Sequence, residues 1–575
     1  VVAFTLTPML AARILSARKA EDTARTSKET AFYRAMEQWY EAALAWCLGH
    51  RLLVIGGALL ILVGGFYLLA KSPVEFVVDD DMSEFEVVAE APPGSSLERT
   101  TEIARALEGE LRKIPEVRTL FTTIGVRGQY QSNVTDISLY VGLTHLSERT
   151  RTQDEIKQDA RRRLAVFPGL RISAQQINLI GGGGFRQTPF NLILRGPDLQ
   201  QLDGHARAVI RTLGSKPGFV DLDTAQTQRQ PELQVRIDRQ KASDLGVRVD
   251  GIASALRTLV GGEKAGFYRE AGEQYDVRIR LQEPFRKDAS VIADLAAPGA
   301  GGQLVKLSNV TTLAPGMSPG QIEHYAQERS ITIISNLYQK PLGEALGEGY
   351  DAVRELKMPP EYGIVTLGRG KLLAEAIQNF LIAFVLSLAF IYIVLAAQFE
   401  SFVHPITIMV SMFLSIPFGL LTLLLVGKTL NIYSIMGLFL LMGVVKKNAI
   451  LQVDYTNVLR ERGLPRLEAQ MQADRARLRP ILMTTLAIIA GMLPVALGRG
   501  DGAASRASLA TVVVGGQALC LLVTLLATPV IYSMFDDLRG RRVFSWIRFP
   551  RWKEALAARW QWVNGRVANG RRPTR

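Results

Sequence analysis

The stretch Ile432–Val453, IYSIMGLFLLMGVVKKNAILQV, decides the class of this 575-residue protein. Its first fourteen residues carry no charge. The whole stretch has the roughly 20 residues that are needed to cross a ~30 Å hydrocarbon core. Lys446 and Lys447 stand inside it. Lys447 lies about nine residues from the end near Thr456, which at ~1.5 Å per residue places it roughly 13 Å deep, close to the bilayer centre.

A lysine at that depth indicates an ion pathway. An ammonium group there costs at least ~2.5–3.5 kcal/mol and lies beyond snorkelling reach, so it needs an anionic partner or a water-filled cavity. Lys446, about 100° away around the helix, could serve instead. The other spans offer no carboxylate at this depth, and Asp454 lies two turns nearer the end. We therefore expect carboxylates on another part of the protein to complete a proton relay, because protonating the acid breaks the pair.

Five more stretches have the same apolar length, and together the six predict a polytopic α-helical membrane protein. A hydrophobic content of 48% is then an average over these spans and a conventional soluble region, and two cysteines exclude a disulfide scaffold. The five stretches are Leu52–Ala70, Phe380–Ala397, His404–Val426, Ile481–Gly498 and Leu509–Phe535.

The basic residues give the orientation of the spans. Seven lie in Arg13–Arg51, six in Thr456–Pro480, and eleven, with three acidic residues, in the tail after Phe535. If the six spans alternate, all three segments share one side, which the positive-inside rule makes cytoplasmic. The net charge of +13 therefore reports orientation and not nucleic-acid binding. The tail 536–575 mixes tryptophans with cations, which suits an anionic lipid surface.

The first residues are those expected at the end of an earlier span. Residues 1–15, VVAFTLTPMLAARIL, resemble a transmembrane helix leaving toward the cytoplasm, and residues 16–51 form a cytoplasmic segment with an amphipathic helix. The stretch has neither an initiator Met nor the basic region of a signal peptide. We therefore expect the chain to be the later part of a longer protein, either as a fragment or as a split subunit.

About 300 residues between the first and second complete spans contain an internal repeat. Four times, a helical run ends near a proline and leads into a β-rich run, and a strand precedes each helix. The order β-α-β-β-α-β, given twice, predicts two ferredoxin-like units in an α+β domain. We assign the first unit to 71–180 and the second to 181–230 and 322–370, with a small α/β subdomain inserted at 231–321. The glycine run Gly181–Gly184 joins the units and starts no phosphate-binding helix.

Other motifs in the chain exclude enzymatic chemistry. Gly427-Lys428-Thr429 lacks the earlier glycine of a P-loop, no G-x-S-x-G occurs, and the histidines have no metal-ligand spacing. Arg475 and Arg479 lie where the positive-inside rule expects cytoplasmic anchors. Thr484 and Thr485 lie where a threonine hydroxyl usually donates to a carbonyl of its own helix.

Three motifs give the chain a resemblance to the resistance–nodulation–division (RND) efflux permeases, nearest to their hydrophobe/amphiphile multidrug branch. The resemblance covers nearly the whole chain as the C-terminal half of such a permease. The motifs are GVVKKNAILQVDY (443–455), RARLRPILMTTLAIIAGMLPVALGRGDGA (475–503) and TPVIYSMFDDL (528–538).

The resemblance implies a homotrimeric inner-membrane antiporter that uses the proton-motive force, without a cofactor or metal, to expel small hydrophobic or amphiphilic compounds. It implies a periplasmic adaptor and an outer-membrane channel as partners. It assigns the proton relay to Lys447, Arg477 and Thr484, with the partner aspartates in the missing first half. The two repeats become porter subdomains, 231–321 a docking insert, and 380–535 five transmembrane helices ahead of a cytoplasmic C-terminus.

One feature departs from pumps for aromatic drugs. Phe121 matches a position in the substrate pocket of such pumps, but Val126 and Gly128 stand where aromatics are common, and the loop Gly125–Val134 is short. We therefore expect a less aromatic pocket.

Two other functions remain open at this stage. The first is metal-ion export by a related RND branch, which the few methionines outside the membrane (Met82, Met317, Met358) disfavour. The second is a membrane-tethered protein-translocation or sensory module, which the deep lysine disfavours.

Overall fold

The computed structural model describes residues 5–6, 9–10, 12–13, 31–125, 133–177, 187–225, 229–286 and 288–540. The predictions for the glycine run and for residues 541–575, and most of those for 1–15, lie outside these ranges. Helix α1 (Ala31–Gly49) is the amphipathic helix predicted within 16–51. It buries Tyr40 and Leu44 and exposes Trp39 and Trp46. Helix α2 (Arg51–Lys71) follows at once and contains the first predicted span.

The first β-rich unit has the element order that the sequence predicts. Both of its helices have N-terminal caps: Ser96 accepts from Arg99 N–H, and Thr152 forms a capping box with Glu155. Its elements are β1 (Glu84–Glu90), α3 (Leu97–Leu111), β2 (Val117–Ile124), β3 (Asp136–Leu143), α4 (Gln153–Leu164) and β4 (Arg171–Gln175).

The four strands of this unit form one antiparallel sheet in the order β2-β3-β1-β4. Both helices pack on one face of it. Leu107 and Leu111 of α3 and Ile156 and Leu164 of α4 lie in a core with inward side chains of β1 and β3, such as Val87. Because each helix repeats apolar residues every three or four positions, one stripe of it reaches the sheet.

The second unit repeats the arrangement. Strand β5 lies between β14 and β15, and β6 pairs with the other side of β14. The central residues of β5, Leu192–Leu194, are nearly inaccessible to solvent, as expected for a middle strand. Its elements are β5 (Phe190–Gly196), α5 (Leu199–Gly214), β6 (Phe219–Thr224) and, after the insert, β13 (His324–Tyr325), β14 (Glu328–Leu337), α10 (Leu342–Glu355) and β15 (Gly363–Thr366).

The insert is a small subdomain with its own core, which includes Ile252, Leu307 and Val310. Strands β7 and β12 pair as the two-stranded stem that leaves and rejoins the second unit, and β8 and β9 form an exposed hairpin. Its elements are β7 (Arg229–Ile237), α6 (Arg239–Asp244), α7 (Val249–Leu256), β8 (Glu263–Glu270), β9 (Glu273–Ile279), α8 (Ala289–Ala293), β10 (Ala296–Pro298), β11 (Leu304–Lys306), α9 (Leu307–Val310) and β12 (Thr311–Pro319).

Five long helices complete the described chain: α11 (Arg369–Phe399), α12 (Val403–Leu425), α13 (Ile432–Glu461), α14 (Arg466–Ala496) and α15 (Ala503–Gly540). With α2 they are the six helices of the described part that are long and apolar enough to cross a membrane. Each overlaps one predicted span, although the spans His404–Val426 and Ile481–Gly498 run one and two residues past the ends of α12 and α14. They extend past the predicted limits of 380–535 because residues such as Lys, Glu, Ala and Gln continue a helix beyond its apolar window.

Helix α15 is central to this bundle and packs against α12, α13, α14, α2 and α1. Two adjacent glycines allow its closest approaches. A Cβ atom on Gly515 would lie 2.1 Å from the side chain of Thr422, and one on Gly516 would lie 2.4 Å from Leu441. Small residues at helix crossings bring backbones together, which is the main source of packing energy between helices in lipid.

Candidate functional site

Lys447 lies on an uncovered stripe of α13. The exposed residues in the membrane part of this helix are Met436, Leu440, Lys447 and Asp454, whose spacing follows one helical face. The remaining sides of α13 pack against α12, α14 and α15. No described residue forms a hydrogen bond or ion pair with Lys447.

Arg477 and Thr484 lie seven residues apart on one face of α14. The guanidinium carbon of Arg477 stands 4.6 Å from the centre of the Tyr455 ring of α13, a cation–π arrangement. Its Nε atom is buried and has no hydrogen-bond partner among the described residues. The Thr484 hydroxyl donates to the Ile481 carbonyl at 3.0 Å, the back-bond expected of a threonine in a helix.

Contacts between α13 and α14 place these residues relative to Lys447. The two helices are consecutive, joined by a short turn, and therefore antiparallel. Gln452 of α13 meets Asp474 of α14, and Tyr455 meets Arg477. Continuing this pairing toward mid-span puts Thr484 within about one helical turn of the level of Lys447. No hydrogen bond or ion pair among the described residues joins Lys447, Arg477 and Thr484, so their assignment to one relay stays a prediction.

A buried polar cluster at the same helix contacts was not predicted. Asp474 is only 2% exposed and accepts a hydrogen bond from Gln452 Nε2 at 2.9 Å. The same amide group also donates to the Leu525 carbonyl. Tyr40 donates to that carbonyl from α1. The fifth span predicted from the sequence begins at Ile481 and therefore does not include Asp474. Asp474 directly precedes the basic run RARLR (475–479), and no local sequence signal marks it as buried.

The loop between α14 and α15 ties the membrane helices to the first β-rich unit. Gly502 N–H donates to the Asp81 carbonyl, and Ser505 donates to the Asp80 carboxylate at 2.6 Å. Asp501 accepts from the Ser83 hydroxyl at 3.1 Å. Gly500 has φ 100°, a conformation that favours glycine. The sequence motif GRGDGA contains this loop, but its contacts depend on a tertiary meeting that the motif does not reveal.

A second tie joins the residues after α2 to the turn between α12 and α13. Leu430 N–H donates to the Pro73 carbonyl, and Glu75 N–H donates back to the Leu430 carbonyl. The Thr429 hydroxyl donates to the Glu75 carboxylate at 2.9 Å. Burial raises the pKa of Glu75 to about 7, although that hydrogen bond opposes the shift. A cavity of about 370 Å³ borders Glu75 and the Arg369–Asp79 ion pair.

The two β-rich units meet along the edge strands β4 and β6. Asp221 of β6 accepts from Arg161 at 2.8 Å and from Asn336 at 2.8 Å. Arg171 of β4 donates to Asp223 at 2.6 Å. Both members of the Arg161–Asp221 pair are largely buried. The contact between the units is therefore polar, ionic and mostly shielded from water.

Phe121 lies on β2 opposite Tyr140, and 67% of it is exposed. An exposed aromatic side chain on an edge strand suits a pocket wall or an interface. Val126, Gly128 and most of the loop Gly125–Val134 lie outside the described residues. The prediction that this pocket is less aromatic therefore stays a prediction.

Within the described ranges, six long apolar helices and two antiparallel β-α-β-β-α-β units define a polytopic membrane protein with a large β-rich region. The AcrB/AcrD/AcrF family model matches residues 1–536, and the chain belongs to this family of RND efflux permeases. The RND resemblance found in the sequence is thereby confirmed.

Relatives and solved structures agree with this assignment. The chain is 28% identical over 546 residues to multidrug resistance protein MdtC of Proteus mirabilis, covering 94% of this chain and 52% of that protein. It is 29% identical over 549 residues to MdtC of Yersinia pseudotuberculosis, covering 94% and 53%. A crystal structure of a heavy metal efflux pump is similar at a TM-score of 0.77 and 25% identity, covering 93% of this chain and 54% of that one. The chain thus spans about half the length of the relatives that it matches.

Proposed function

We propose that the chain is the C-terminal half of a proton-driven inner-membrane exporter of hydrophobic or amphiphilic compounds. The observation that carries the proposal is the position of Lys447, in mid-span on an uncovered face of α13 and without a partner among the described residues. An unpaired ammonium group at this depth is too costly to persist in lipid. Carboxylates from the rest of the permease therefore complete this face.

Lys447, Arg477 and Thr484 act together in the proposed relay. Ionised carboxylates attract Lys447, and binding of a proton cancels that attraction and frees the lysine to move. Arg477 supplies a permanent positive charge on the cytoplasmic side, and Thr484 supplies a hydroxyl near the level of Lys447. The energy source is the proton-motive force, with no bound cofactor.

The two β-rich units serve as ferredoxin-like porter subdomains in the periplasm. Their polar mutual contact, Arg161–Asp221 and Arg171–Asp223, suits surfaces that separate and rejoin during a transport cycle, since ionic groups tolerate water when apart. The membrane helices and the basic tail 536–575 contact lipid, with the C-terminus in the cytoplasm.

The insert 231–321 acts as the docking element of a homotrimer and meets the outer-membrane channel, with a periplasmic adaptor beside it. Its β8–β9 hairpin supports this role. Phe267, Tyr268 and Tyr275 are each more than half exposed on it. Exposed aromatic side chains on a projecting hairpin are typical of protein–protein contacts.

The two ties between membrane and β-rich region would transmit the protonation signal. A shift of α13 or α15 moves the turn at Leu430 or the loop at Asp501, and both are hydrogen-bonded to residues 73–83. These residues lead directly into β1, so helix motion reaches the first porter unit through a short segment.

The relatives support small organic compounds as the substrate class, since the curated sequences that match are multidrug resistance proteins. Metal-ion export is the second candidate, favoured by the likeness to a heavy metal efflux pump. Against it, Met82, Met317 and Met358 lie in three separate parts of the fold, and the described residues include no group of three or more His, Cys, Asp or Glu side chains placed to hold a metal.

The relay is tested in the full-length permease with Lys447→Ala and its neighbour Lys446→Ala as a matched control. We expect Lys447→Ala to abolish dye efflux from cells while leaving the amount of membrane-inserted protein unchanged. Lys446→Ala should retain most of the efflux. Near-normal efflux by Lys447→Ala would refute the assignment, and the reverse pattern would move the relay to Lys446.

The substrate class is tested by expressing the permease in a host that lacks its own exporters. Resistance to cationic dyes and detergents, with no change in tolerance of copper, silver or zinc, is the expected result. Tolerance of a metal ion without dye resistance would favour the second candidate.

A further inference from the structure

Asp474 sits where an ionised carboxylate is poorly stabilised. It lies on α14 and is 2% exposed. Its Oδ1 atom accepts one hydrogen bond, from the neutral amide of Gln452 at 2.9 Å. Its Oδ2 atom is buried and has no partner among the described residues. Burying a carboxylate without a cation or several donors is costly, so the neutral acid is the favoured form.

The cations nearest in sequence are engaged elsewhere. Arg475 pairs with Glu37 and Glu41 of α1, at 2.9 and 3.1 Å. Arg477 stacks on the Tyr455 ring of α13. The described part of the chain therefore offers Asp474 no ion pair.

The other groups around the carboxyl are neutral. Helix α1 contributes Tyr40 and Cys47 to the same buried cluster, and α15 contributes the Leu525 backbone carbonyl, which accepts from both Tyr40 and Gln452. No charged group of α15 is bonded to Asp474.

A second unpartnered oxygen lies one turn away. Gln470 precedes Asp474 by four residues and shares its helix face. Its amide nitrogen donates to the Pro529 carbonyl at 2.8 Å, while its oxygen is buried and unpartnered among the described residues. Two buried oxygens on one helix face thus lack a donor, and a proton on Asp474 would add a donor to this cluster, whereas an ionised Asp474 adds only acceptors.

We propose that Asp474 is a proton-binding site separate from Lys447. Its carboxyl accepts a hydrogen bond from Gln452, and Tyr40 of α1 covers the site. The proton resides on Oδ2, and Oδ1 remains the carbonyl oxygen that accepts from Gln452. By the pairing of α13 with α14, the site lies on the cytoplasmic side of the proposed relay, beneath the amphipathic helix.

The site is tested by infrared spectroscopy of the purified full-length protein, with and without ¹³C at the aspartate carboxyls. The difference between the two spectra shows the aspartate bands alone, and the test needs no transport activity. We expect a protonated-aspartate band that Asp474→Asn removes and that is separate from any band of the relay carboxylates. Glu468→Gln, an exposed carboxylate of the same helix, should leave the band in place. If Asp474→Asn does not fold, Gln452→Leu decides the matter, because loss of the accepted hydrogen bond moves the carbonyl band to higher frequency.

Two results would overturn the proposal: a wild-type spectrum without an aspartic acid band, or a band that neither Asp474→Asn nor Gln452→Leu changes. Because neither readout involves efflux, the failure of this site and the failure of the proposed transport function are distinguishable.

Discussion

Lys447 within a membrane span and Glu75 just outside one are two ionisable residues in unusual surroundings. No described residue forms a hydrogen bond or an ion pair with the Lys447 ammonium group. Glu75 lies just outside α2, in a partly closed cavity whose cation, Arg369, pairs with Asp79. In both cases an ionisable side chain lies where water cannot fully solvate its charged form, which is common among functional ionisable groups.

The raised pKa of Glu75 makes a prediction about stability. Because burial raises the pKa from 4.5 to about 7, the folded protein binds this proton more tightly than the unfolded chain does. The associated stability is fully present below about pH 4.5 and is lost as the pH rises to about 7, at a cost of about 3 kcal/mol. Glu75→Gln should therefore raise the melting temperature at about pH 8 and leave it nearly unchanged at about pH 4.5.

The control for Glu75 is Glu102→Gln, an exposed glutamate of α3 that pairs with Arg99 at 2.9 Å. An exposed ion pair contributes little, so this variant should change the melting temperature only slightly at either pH. An equal gain for Glu75→Gln at both pH values would contradict the burial argument.

At the scale of single residues, the sequence predicted a functional role for Lys447 but did not predict the burial of Asp474. The depth of a lysine follows from counting residues along one span, and this needs no tertiary information. Burial of Asp474 depends on α1 and α15 packing over it, and nothing in its local sequence distinguishes it from the exposed positions beside it. The same holds for Asp501, whose carboxylate accepts from Ser83, a residue 418 positions away in the sequence.

Between elements, ion pairs and hydrogen bonds join α4 and β4 of the first unit to β6 of the second. Asp221 binds both Arg161 and Asn336, and the Arg161 and Asp221 side chains are 14% and 10% exposed. Removing one partner of a buried pair leaves the other charge uncompensated, at about 3 kcal/mol. Asp221→Ala should therefore lower the melting temperature of the β-rich region by several degrees.

The matched control is Asp203→Ala, which breaks an exposed i,i+4 pair with Arg207 on α5. A loss of less than about 1 kcal/mol is expected there. The melting temperatures of both variants are compared by calorimetry, or by thermal denaturation followed without tryptophan fluorescence. Equal melting temperatures for the two variants would show that the contact between the units adds no stability.

Helix packing gives a second prediction at this scale. Gly515→Ala would put a methyl group against Thr422, and the helices α15 and α12 would have to separate, so we expect a lower melting temperature in detergent. Gly491→Ala on α14 has nothing within 4 Å and should gain up to about 1 kcal/mol from helix propensity. A stabilised Gly515→Ala variant would disprove the close crossing.

The elements themselves were largely predictable from the sequence. Eight of the nine described strands of the repeated units, and their four helices, follow from the proline-terminated helices and the β-branched runs, because those signals are local; the two-residue strand β13 was not predicted. The order of the strands within each sheet could not be predicted from these local signals, because it depends on which strands meet after the helices pack. The helices that begin at Arg369 and Arg466 start before the predicted spans, since hydropathy detects the apolar window and not the polar turns that precede it.

For the whole molecule, the main consequence of the fold is that membrane helices and β-rich units share a short connecting segment. Residues 73–83 are bonded to the turn at Leu430 on one side and to the loop at Asp501 and Gly502 on the other. A proton-dependent shift within the helices therefore has a direct path to β1. This is the physical basis for proposing coupling between proton binding in the membrane and substrate movement outside it.

The most direct test of this account is proton flux in liposomes that contain the full-length permease and an imposed pH gradient. With wild-type protein, adding a transported dye should accelerate the collapse of the gradient. With Lys447→Ala, dye should bind but cause no acceleration, whereas Lys446→Ala should behave like the wild type. Dye-dependent proton flux that persists in the Lys447→Ala protein would contradict the central claim that this lysine couples protons to transport.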